Sequence, residues 1–397
     1  MDRCKPRKHR SPAMIPYGRQ TISCEDVEAV VAVLRSDFLT QGPAVETFET
    51  ALRGRVNAGH CVAVSNATAA LHIACLALDV GDGDIVWTSP ITFVSSANCA
   101  RLCGARVDFV DIDPDTFNMD VGALAAKLEK AKAGGTLPKV IIPVHMCGQS
   151  PDMAAIQQLA NAFGVRIIED ASHGIGASYR GGPVGNCAHS DITVFSFHPV
   201  KIITTGEGGA ATTNDDHLAQ RLRELRSHGV TRDPARMENP PEGAWVYEQI
   251  DLGLNYRMTD FQAALGTSQL TRLDAFVDRR NELARRYDEA LSHLPVRLPT
   301  RTAHARSSFH LYVIRLERAE RRAAVFAAMR AAGILVNVHY IPVHLQPYYR
   351  ALGFRVGDFP LSERYYEAAI TLPLHPGLLD SEFDMIVATL ERALEPG

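Results

Sequence analysis

The residue whose position is chemically most unusual is Lys201, which lies between an apolar run and a glycine-rich turn. The run at 191–197 is predicted to form a buried strand, and the turn follows at 204–209. A buried ammonium group is unfavourable unless it is paired or deprotonated. Schiff-base chemistry requires such a lysine, desolvated so that its amine is partly neutral. Taken alone, the feature fits a solvated surface lysine better than a catalytic one.

Two further segments, at residues 66–70 and 255–257, carry groups that could bind an anion near the start of a predicted helix. NATAA (66–70) follows a strand and opens a helix, so its free N–H groups and the Thr68 hydroxyl form either an anion site or an ordinary N-cap. Ser196, five residues before the lysine, is placed to reach the same anion. Asn255 and Arg257 precede the helix predicted at 261–270, which leaves both side chains free for anions.

A carboxylate completes the set. The strand predicted at 165–168 ends in Glu169 and Asp170, and such a group suits a metal, an acid–base step, a protonated ring nitrogen or plain solvation. An anion cup, a carboxylate for a pyridinium nitrogen and a Schiff-base lysine are together what pyridoxal 5'-phosphate (PLP) requires of a protein. We therefore expect Asp170 to keep the ring nitrogen protonated, so that the ring can accept the electrons of a Cα–H bond.

The elements that must position these residues alternate between apolar strands and helices. Strands are predicted at 61–65, 85–88, 106–112, 140–144, 165–168, 191–197 and 209–213, with helices at 67–78, 94–102, 121–132 and 153–163. This pattern indicates an α/β fold with a mostly parallel central sheet and helices on both faces. Ligands of such sheets collect at the carboxyl ends of the strands, where the polar residues lie.

The regular alternation of predicted strands and helices ends towards the C-terminus. Residues 216–290 are predicted to be mainly helical, and strands at 309–314 and 334–338 flank a helix at 321–332. We therefore expect a basic, disordered tail at 1–14, an N-terminal segment and large domain at 15–280, and a small C-terminal α+β domain at 281–397.

Composition excludes several classes of protein. The net charge of −4 gives no overall electrostatic attraction to nucleic acid or to an anionic membrane. The sequence contains no run of about eighteen apolar residues, so no membrane span is predicted. The eight cysteines contain no C-x-x-C pair, so we expect free thiols, no metal site and a cytoplasmic protein. No apolar segment follows the basic residues at 3–10, which argues against a signal peptide.

The sequence closely resembles the DegT/DnrJ/EryC1/StrS family of sugar-nucleotide aminotransferases, nearly from end to end. The motifs that carry the resemblance are FLTQGP (38–43), SNATAAL (65–71), EDASH (169–173), FSFHPVK (195–201), GEGG (206–209) and NYRM (255–258). The resemblance implies the aspartate-aminotransferase-like fold of PLP-dependent transferases, fold type I.

The resemblance also implies roles for individual residues. Lys201 would carry PLP as a Schiff base, Asp170 would bind the pyridine nitrogen and His173 would contact the side of the ring that bears the 3-hydroxyl. The remaining cofactor contacts would be Thr68, Ala69 and Ser196 at the phosphate, Phe93 stacked on the ring, and Asn255 from the second subunit of a homodimer. His145 would lie near the cofactor or serve the structure.

Candidates for binding the substrate are less sharply indicated. Tyr17, Arg257 and His339 are our main candidates, with Arg257 also placed to meet a carboxylate. Arg19, His344 and Tyr349 are further candidates for the nucleotide, although domain packing explains the C-terminal aromatic and histidine residues equally well.

Within the family, several stretches look most like the transaminases of pseudaminic acid biosynthesis, among them SPITFV (89–94), RSHG (226–229) and VHYIP (338–342). This implies amino transfer from L-glutamate, which becomes 2-oxoglutarate, to C4 of a UDP-linked 4-keto-6-deoxy-N-acetyl hexosamine. Three alternatives stay open: another nucleotide-linked keto-sugar aminated at C3 or C4, a PLP-dependent sugar dehydratase, or a non-catalytic regulatory protein on the same fold. Relatives that dehydrate sugars carry histidine in place of the lysine, so Lys201 favours transamination.

Overall fold

A computed structural model describes residues 14–395 of the 397. The strands, in chain order, are β1 (Ile15–Pro16), β2 (His60–Val64), β3 (Ile85–Thr88), β4 (Arg106–Phe109), β5 (Val140–Ile142), β6 (Arg166–Asp170), β7 (Ser178–Tyr179), β8 (Gly182–Pro183), β9 (Ile192–Ser196), β10 (Gly209–Thr213), β11 (Val230–Thr231), β12 (Glu248–Gln249), β13 (Val296–Arg297), β14 (Ala305–Arg306), β15 (Tyr312–Leu316), β16 (Ile334–Leu335) and β17 (Ala369–Leu372).

The helices are α1 (Cys24–Leu34), α2 (Pro43–Val56), α3 (Ala67–Ala77), α4 (Ser95–Leu102), α5 (Val121–Gly134), α6 (Met153–Phe163), α7 (Asp216–Arg226), α8 (Asp260–Leu270), α9 (Leu273–Leu291), α10 (Arg322–Ala331), α11 (Pro347–Ala351), α12 (Pro360–Ala368) and α13 (Asp380–Leu394). Within residues 14–395, no helix is both long enough and apolar enough to cross a membrane. The basic tail predicted at 1–14 lies, except for Met14, outside the described residues.

A seven-stranded sheet forms the centre of the molecule, in the order β2-β10-β9-β6-β5-β3-β4. The strands from β9 to β4 are parallel, and β10 runs antiparallel to both of its neighbours. The carboxyl ends of β6 and β9 therefore lie side by side, with Asp170 paired to Val194. The predicted α/β class with a mostly parallel sheet is confirmed.

Helices cover both faces of this sheet because its strands alternate apolar side chains between two cores. On β2, Val62 and Val64 pack into one core with α3 and α7, while Cys61 and Ala63 pack into another with α2. Helices α5 and α6 pack on Ile141 and the neighbouring strands. Both faces are therefore dry, as the nearly continuous apolar strands require.

A separate core, away from the central sheet, lies around a three-stranded antiparallel sheet, β13-β15-β17, with α10 and α13. Strand β1 belongs to this core, because it pairs in parallel with β16 and buries Ile15 there. Helix α9 packs on both sheets: Val277 lies in a core of the large sheet, and Tyr287 lies in the core of the small sheet. The domain boundary predicted at residue 280 falls within this helix and stays a prediction.

Candidate active site

A cavity of about 760 Å³ lies at the carboxyl edge of the central sheet. One group of lining residues, here called the sheet wall, consists of Thr68, Asp170, Ser196 and Lys201. Asp170 and Ser196 end strands β6 and β9, Lys201 follows β9, and Thr68 lies in the first turn of α3. A second group of lining residues, here called the C-terminal wall, consists of Tyr17 and residues 337–340. The structure thus brings the four predicted sheet-edge residues together around one space.

The Lys201 side chain is half-buried and lies in a tight turn after β9, where its N–H donates to the carbonyl of His198. Among residues 14–395, no carboxylate lies within ion-pair distance of its amine. Burial lowers the pKa of Lys201 to about 8, although the charge of Asp170 opposes the shift. A far larger fraction of this amine is therefore neutral near neutral pH than in an ordinary lysine, as the sequence predicts for a nucleophilic lysine.

Asp170 is the last residue of β6, is buried and points its carboxylate to the cavity. Its Oδ2 accepts a hydrogen bond from Ser96 Oγ at 2.6 Å, and its Oδ1 accepts one from the Ser172 N–H at 3.1 Å. These two donors fix the orientation of the carboxylate. Ser96, in the first turn of α4, was not identified from the sequence, because a serine within a predicted helix carries no signal of its own.

The end of the cavity formed by α3 and β9 carries hydroxyl groups. Thr68 lies in the first turn of α3, with its Oγ1 2.8 Å from Ser95 Oγ, and Ser196 ends β9 with no hydrogen-bond partner for its hydroxyl in the described chain. Gly209 of β10 packs against the start of α3 so closely that a Cβ would lie 2.5 Å from the carbonyl carbon of Asn66. The glycine-rich turn therefore has a packing role beside this anion site.

The Asn66 side chain caps α3 by accepting from the Ala69 N–H at 2.9 Å. The site is thus both a helix cap and a helix N-terminus that faces the cavity. Ala69 itself is buried and does not line the cavity, and its N–H is already engaged. Its phosphate contact stays a prediction.

The C-terminal wall is held by hydrogen bonds to its own sheet. His339 Nδ1 lies 2.8 Å from Thr371 Oγ1 of β17, and its Nε2 lies 3.3 Å from Asn337 Nδ2. Tyr17 packs its ring 5.0 Å from that of His339. Burial and the charge of Lys201 lower the pKa of His339 to about 3, so this imidazole is neutral at physiological pH.

His173 and Phe93, both predicted, also line the cavity. His173 is buried, and its Nε2 lies 3.2 Å from the hydroxyl of Tyr340. Phe93 is 58% exposed, with its ring 6.2 Å from that of Tyr340, so one face is available to a ligand. Tyr340 and Asn337 were not picked out as site residues, although Tyr340 lies in the VHYIP stretch that carries part of the resemblance.

Two predicted residues do not reach the cavity of their own chain. Asn255 is exposed and pairs with Ser227, and Arg257 pairs with Val64 at the edge of the sheet. Within residues 14–395, no arginine lines the cavity. Arg19 is likewise absent from its lining.

Three other candidates have structural contacts instead. His145 is buried with its Nε2 2.7 Å from Glu169 Oε2, behind the cavity. His344 contacts Glu363 at 2.9 Å, and the hydroxyl of the buried Tyr349 donates to Asn98. The interpretation of His344 and Tyr349 as nucleotide contacts is therefore not supported by their positions, because both face the protein interior.

The chemistry of the cavity fits PLP. A half-buried, partly neutral amine, an oriented carboxylate and a set of hydroxyls at a helix N-terminus are the groups that an aldehyde, a pyridinium and a phosphate require. The buried Nδ1 atom of His173 adds a polar atom without a hydrogen-bond partner in the described chain. Fold and cavity together define a PLP-dependent transferase of fold type I.

The comparison with protein families narrows the class. The DegT/DnrJ/EryC1/StrS aminotransferase family matches residues 20–391. The chain belongs to this family and is therefore a PLP-dependent aminotransferase.

Two relatives match over nearly the whole chain. The spore coat polysaccharide biosynthesis protein SpsC of Bacillus subtilis is 39% identical over 380 residues, which cover 94% of this chain and 95% of SpsC. The UDP-4-amino-4,6-dideoxy-N-acetyl-beta-L-altrosamine transaminase of Campylobacter jejuni is 36% identical over 389 residues, which cover 96% and 98%.

Solved structures show the same fold. The sugar aminotransferase Spr1654 of Streptococcus pneumoniae, in its PMP form, superposes with a TM-score of 0.87 at 33% identity and covers 96% of this chain and 98% of its own. Helicobacter pylori PseC, an aminotransferase of pseudoaminic acid biosynthesis, superposes with a TM-score of 0.88 at 29% identity and covers 96% and 99%.

Proposed function

We propose that the protein transfers an amino group from L-glutamate to C4 of a UDP-linked 4-keto-6-deoxy-N-acetyl hexosamine. The product would be UDP-4-amino-4,6-dideoxy-N-acetyl-β-L-altrosamine, an intermediate of pseudaminic acid biosynthesis. The observation that carries the chemistry is that the amine of Lys201 and the carboxylate of Asp170 line one cavity, which carries hydroxyl groups at one end. The substrate rests on the similarity to the Campylobacter and Helicobacter enzymes.

The residues of the sheet wall would hold the cofactor. Lys201 would bind it covalently through Nζ, Asp170 would keep the pyridine nitrogen protonated, and Thr68 and Ser196 would hold the phosphate. When bound, PLP supplies an electron sink for the bond between Cα and its hydrogen. His173 and Phe93 would contact the ring.

Lys201 would also move the proton. When it is not attached to the cofactor, its amine would act as a general base on the Cα hydrogen of glutamate and then as a general acid. A pKa of about 8 suits both the removal and the return of a proton, because the charged and the neutral amine are then both populated near neutral pH. The same group would return the proton in the half-reaction with the sugar.

The substrates carry carboxylates and phosphates, yet the described chain places no arginine at the cavity. We therefore propose a homodimer in which Asn255 of the partner subunit completes the site. The exposed position of Asn255 supports this arrangement, because the side chain is available to a second copy. Arg257 lies in the same segment and is a further candidate for an anion contact across the interface.

The protein is proposed to work in the cytoplasm. Free thiols are found at Cys61, Cys75, Cys99, Cys103, Cys147 and Cys187, in keeping with a reducing compartment.

The test is incubation of the purified enzyme with glutamate and a panel of UDP-linked 4-keto sugars. We expect stoichiometric 2-oxoglutarate and one amino sugar, whose stereochemistry at C4 is read by NMR. A dehydratase would form no stoichiometric 2-oxoglutarate, and a regulatory protein would show neither product nor a visible band with PLP. Either result would contradict the proposal.

One alternative substrate class has its own support. SpsC, a spore coat polysaccharide protein, is 39% identical to this chain. Amination of a different nucleotide-linked keto-sugar, at C3 or C4, is therefore the second candidate. Turnover of such a sugar in preference to the 4-keto-N-acetyl hexosamine would favour it.

A further inference from the structure

Tyr340 connects the C-terminal wall of the cavity to His173, which lies just after β6. It belongs to the C-terminal wall, lines the cavity and is half-buried. Its hydroxyl lies 3.2 Å from Nε2 of His173, and the two rings are nearly parallel, with centroids 6.2 Å apart. If His173 donates the hydrogen bond between them, the O–H of Tyr340 is available to the cavity. If Tyr340 donates it, the O–H is already used.

His173 is neutral in this environment. Burial lowers its pKa well below the usual range, and the nearby charge of Lys201 lowers it further. A neutral imidazole has one N–H and one lone pair. The proton on His173 therefore lies on either Nε2 or Nδ1.

The surroundings favour the proton on Nε2. The Nδ1 atom is buried and has no hydrogen-bond partner within residues 14–395. A buried N–H without an acceptor is rarer in proteins than an acceptor without a donor. With the proton on Nε2, His173 donates to the oxygen of Tyr340, and the O–H of Tyr340 is free to point elsewhere.

The phenol of Tyr340 also stays protonated. Burial raises its pKa, and the nearby Tyr17, Cys147 and Asp170 act in the same direction. No other hydrogen bond engages its hydroxyl within the described chain. The side chain is thus a neutral donor that lines the cavity, and its O–H is available to a bound acceptor.

We propose that Tyr340 is a further catalytic residue, whose hydroxyl donates a hydrogen bond to an acceptor oxygen of the bound reactants. Two oxygens offer this chemistry: the ring oxygen of PLP, on the side where His173 is expected, and the ketone oxygen of the sugar. The inference rests on the proposed attachment of PLP at Lys201.

The experiment compares PLP-loaded wild type with Tyr340→Phe, which removes one oxygen and keeps the ring. Tyr349→Phe is the matched control, because it removes a buried hydroxyl that bonds Asn98 away from the cavity. Visible absorbance is titrated against pH without substrate. The glutamate half-reaction and kcat/KM for the keto-sugar are then measured, and melting temperatures verify folding.

If the ring oxygen is the acceptor, Tyr340→Phe should raise the midpoint of the spectral titration by about 1 to 2 pH units, because a hydrogen bond to the charged oxygen is lost. If the ketone oxygen is the acceptor, the midpoint and the glutamate half-reaction should stay unchanged while kcat/KM for the sugar falls about 10-fold or more. Tyr349→Phe should match wild type in all three readouts.

A Tyr340→Phe enzyme that matches wild type in both the titration and the sugar reaction would overturn the inference. If wild type itself gains no visible band with PLP, the proposed function fails instead. The two failures are therefore distinguishable.

Discussion

The sheet wall and the C-terminal wall of the cavity are built in different ways. Asp170 and Ser196 end neighbouring parallel strands, and Thr68 begins a helix, so regular elements fix their positions. Residues 337–340 follow β16 in an irregular segment, held by the backbone pair of Asn337 with Thr371 and by side-chain hydrogen bonds such as that of His339 to Thr371. The difference suggests a division of labour, in which the rigid wall holds the cofactor and the irregular wall meets the substrate.

The largest expected effect is on the sheet wall. Lys201→Ala, and equally Lys201→Arg, should lower kcat by about 1,000-fold or more, because covalent attachment and proton transfer both depend on this amine. Production of 2-oxoglutarate from glutamate is the assay. The exposed Lys130→Ala on α5 is the control and should keep full activity. Appreciable turnover by either Lys201 variant would contradict the assignment.

Asp170→Asn should come next, with a loss of about 3 kcal/mol or more in activation free energy, which is over 100-fold in rate. The amide keeps the shape but cannot hold a protonated ring nitrogen, so the electron sink is weakened. Steady-state kcat at saturating PLP measures the effect, with Asp37→Asn on the surface as control. A kcat close to that of wild type would remove Asp170 from its proposed role.

A stability measurement examines the same wall without catalysis. Because the pKa of Lys201 is lowered to about 8 in the folded protein, the charged amine opposes folding below that pH. The cofactor-free Lys201→Met variant should therefore be more stable than wild type at pH 7, by up to about 3 kcal/mol. The gap should close as pH rises from about 8 towards the ordinary lysine pKa, since the unfolded chain then also loses its proton.

Urea midpoints at pH 7 and at pH 10 check this prediction. A difference between variant and wild type that does not change with pH would mean that Lys201 titrates normally. The lysine would then be less desolvated than its position indicates.

The smallest effect is expected on the C-terminal wall. His339→Gln should raise KM for the keto-sugar about 10-fold with a smaller change in kcat, because lost contacts with bound substrate affect binding before chemistry. The glutamate half-reaction should change little. A large fall in kcat with unchanged KM would show that this wall takes part in chemistry, and the division between the walls would be wrong.

The contrast also explains what the sequence could predict. Strand β3 and helix α6 were predicted with their observed bounds, as was β10, because apolar runs with clear ends specify them. Strands predicted at 106–112 and 140–144 end earlier, at Phe109 and Ile142. Buried apolar residues such as Val110 and Val144, with some backbone hydrogen bonds to the neighbouring strands, continue past these strand ends, so hydrophobicity alone does not mark the end.

The C-terminal wall was harder to predict for a physical reason. The strand predicted at 334–338 consists only of Ile334 and Leu335, because the chain then leaves β1: Asn337 pairs with Thr371 of β17, and residues 337–340 line the cavity. The strand predicted at 309–314 is shifted to Tyr312–Leu316. The contacts of Tyr340 with His173 and of His339 with Thr371 join distant parts of the chain, which local patterns do not reveal.

The central claim is that Lys201 holds the cofactor. Reduction of the PLP-loaded enzyme with borohydride fixes the attached group to its lysine, and peptide mass spectrometry then locates it. The account predicts the added mass on Lys201 in wild type, and no attachment in Lys201→Ala. The added mass on a different lysine, or an unmodified Lys201 in the reduced enzyme, would contradict it.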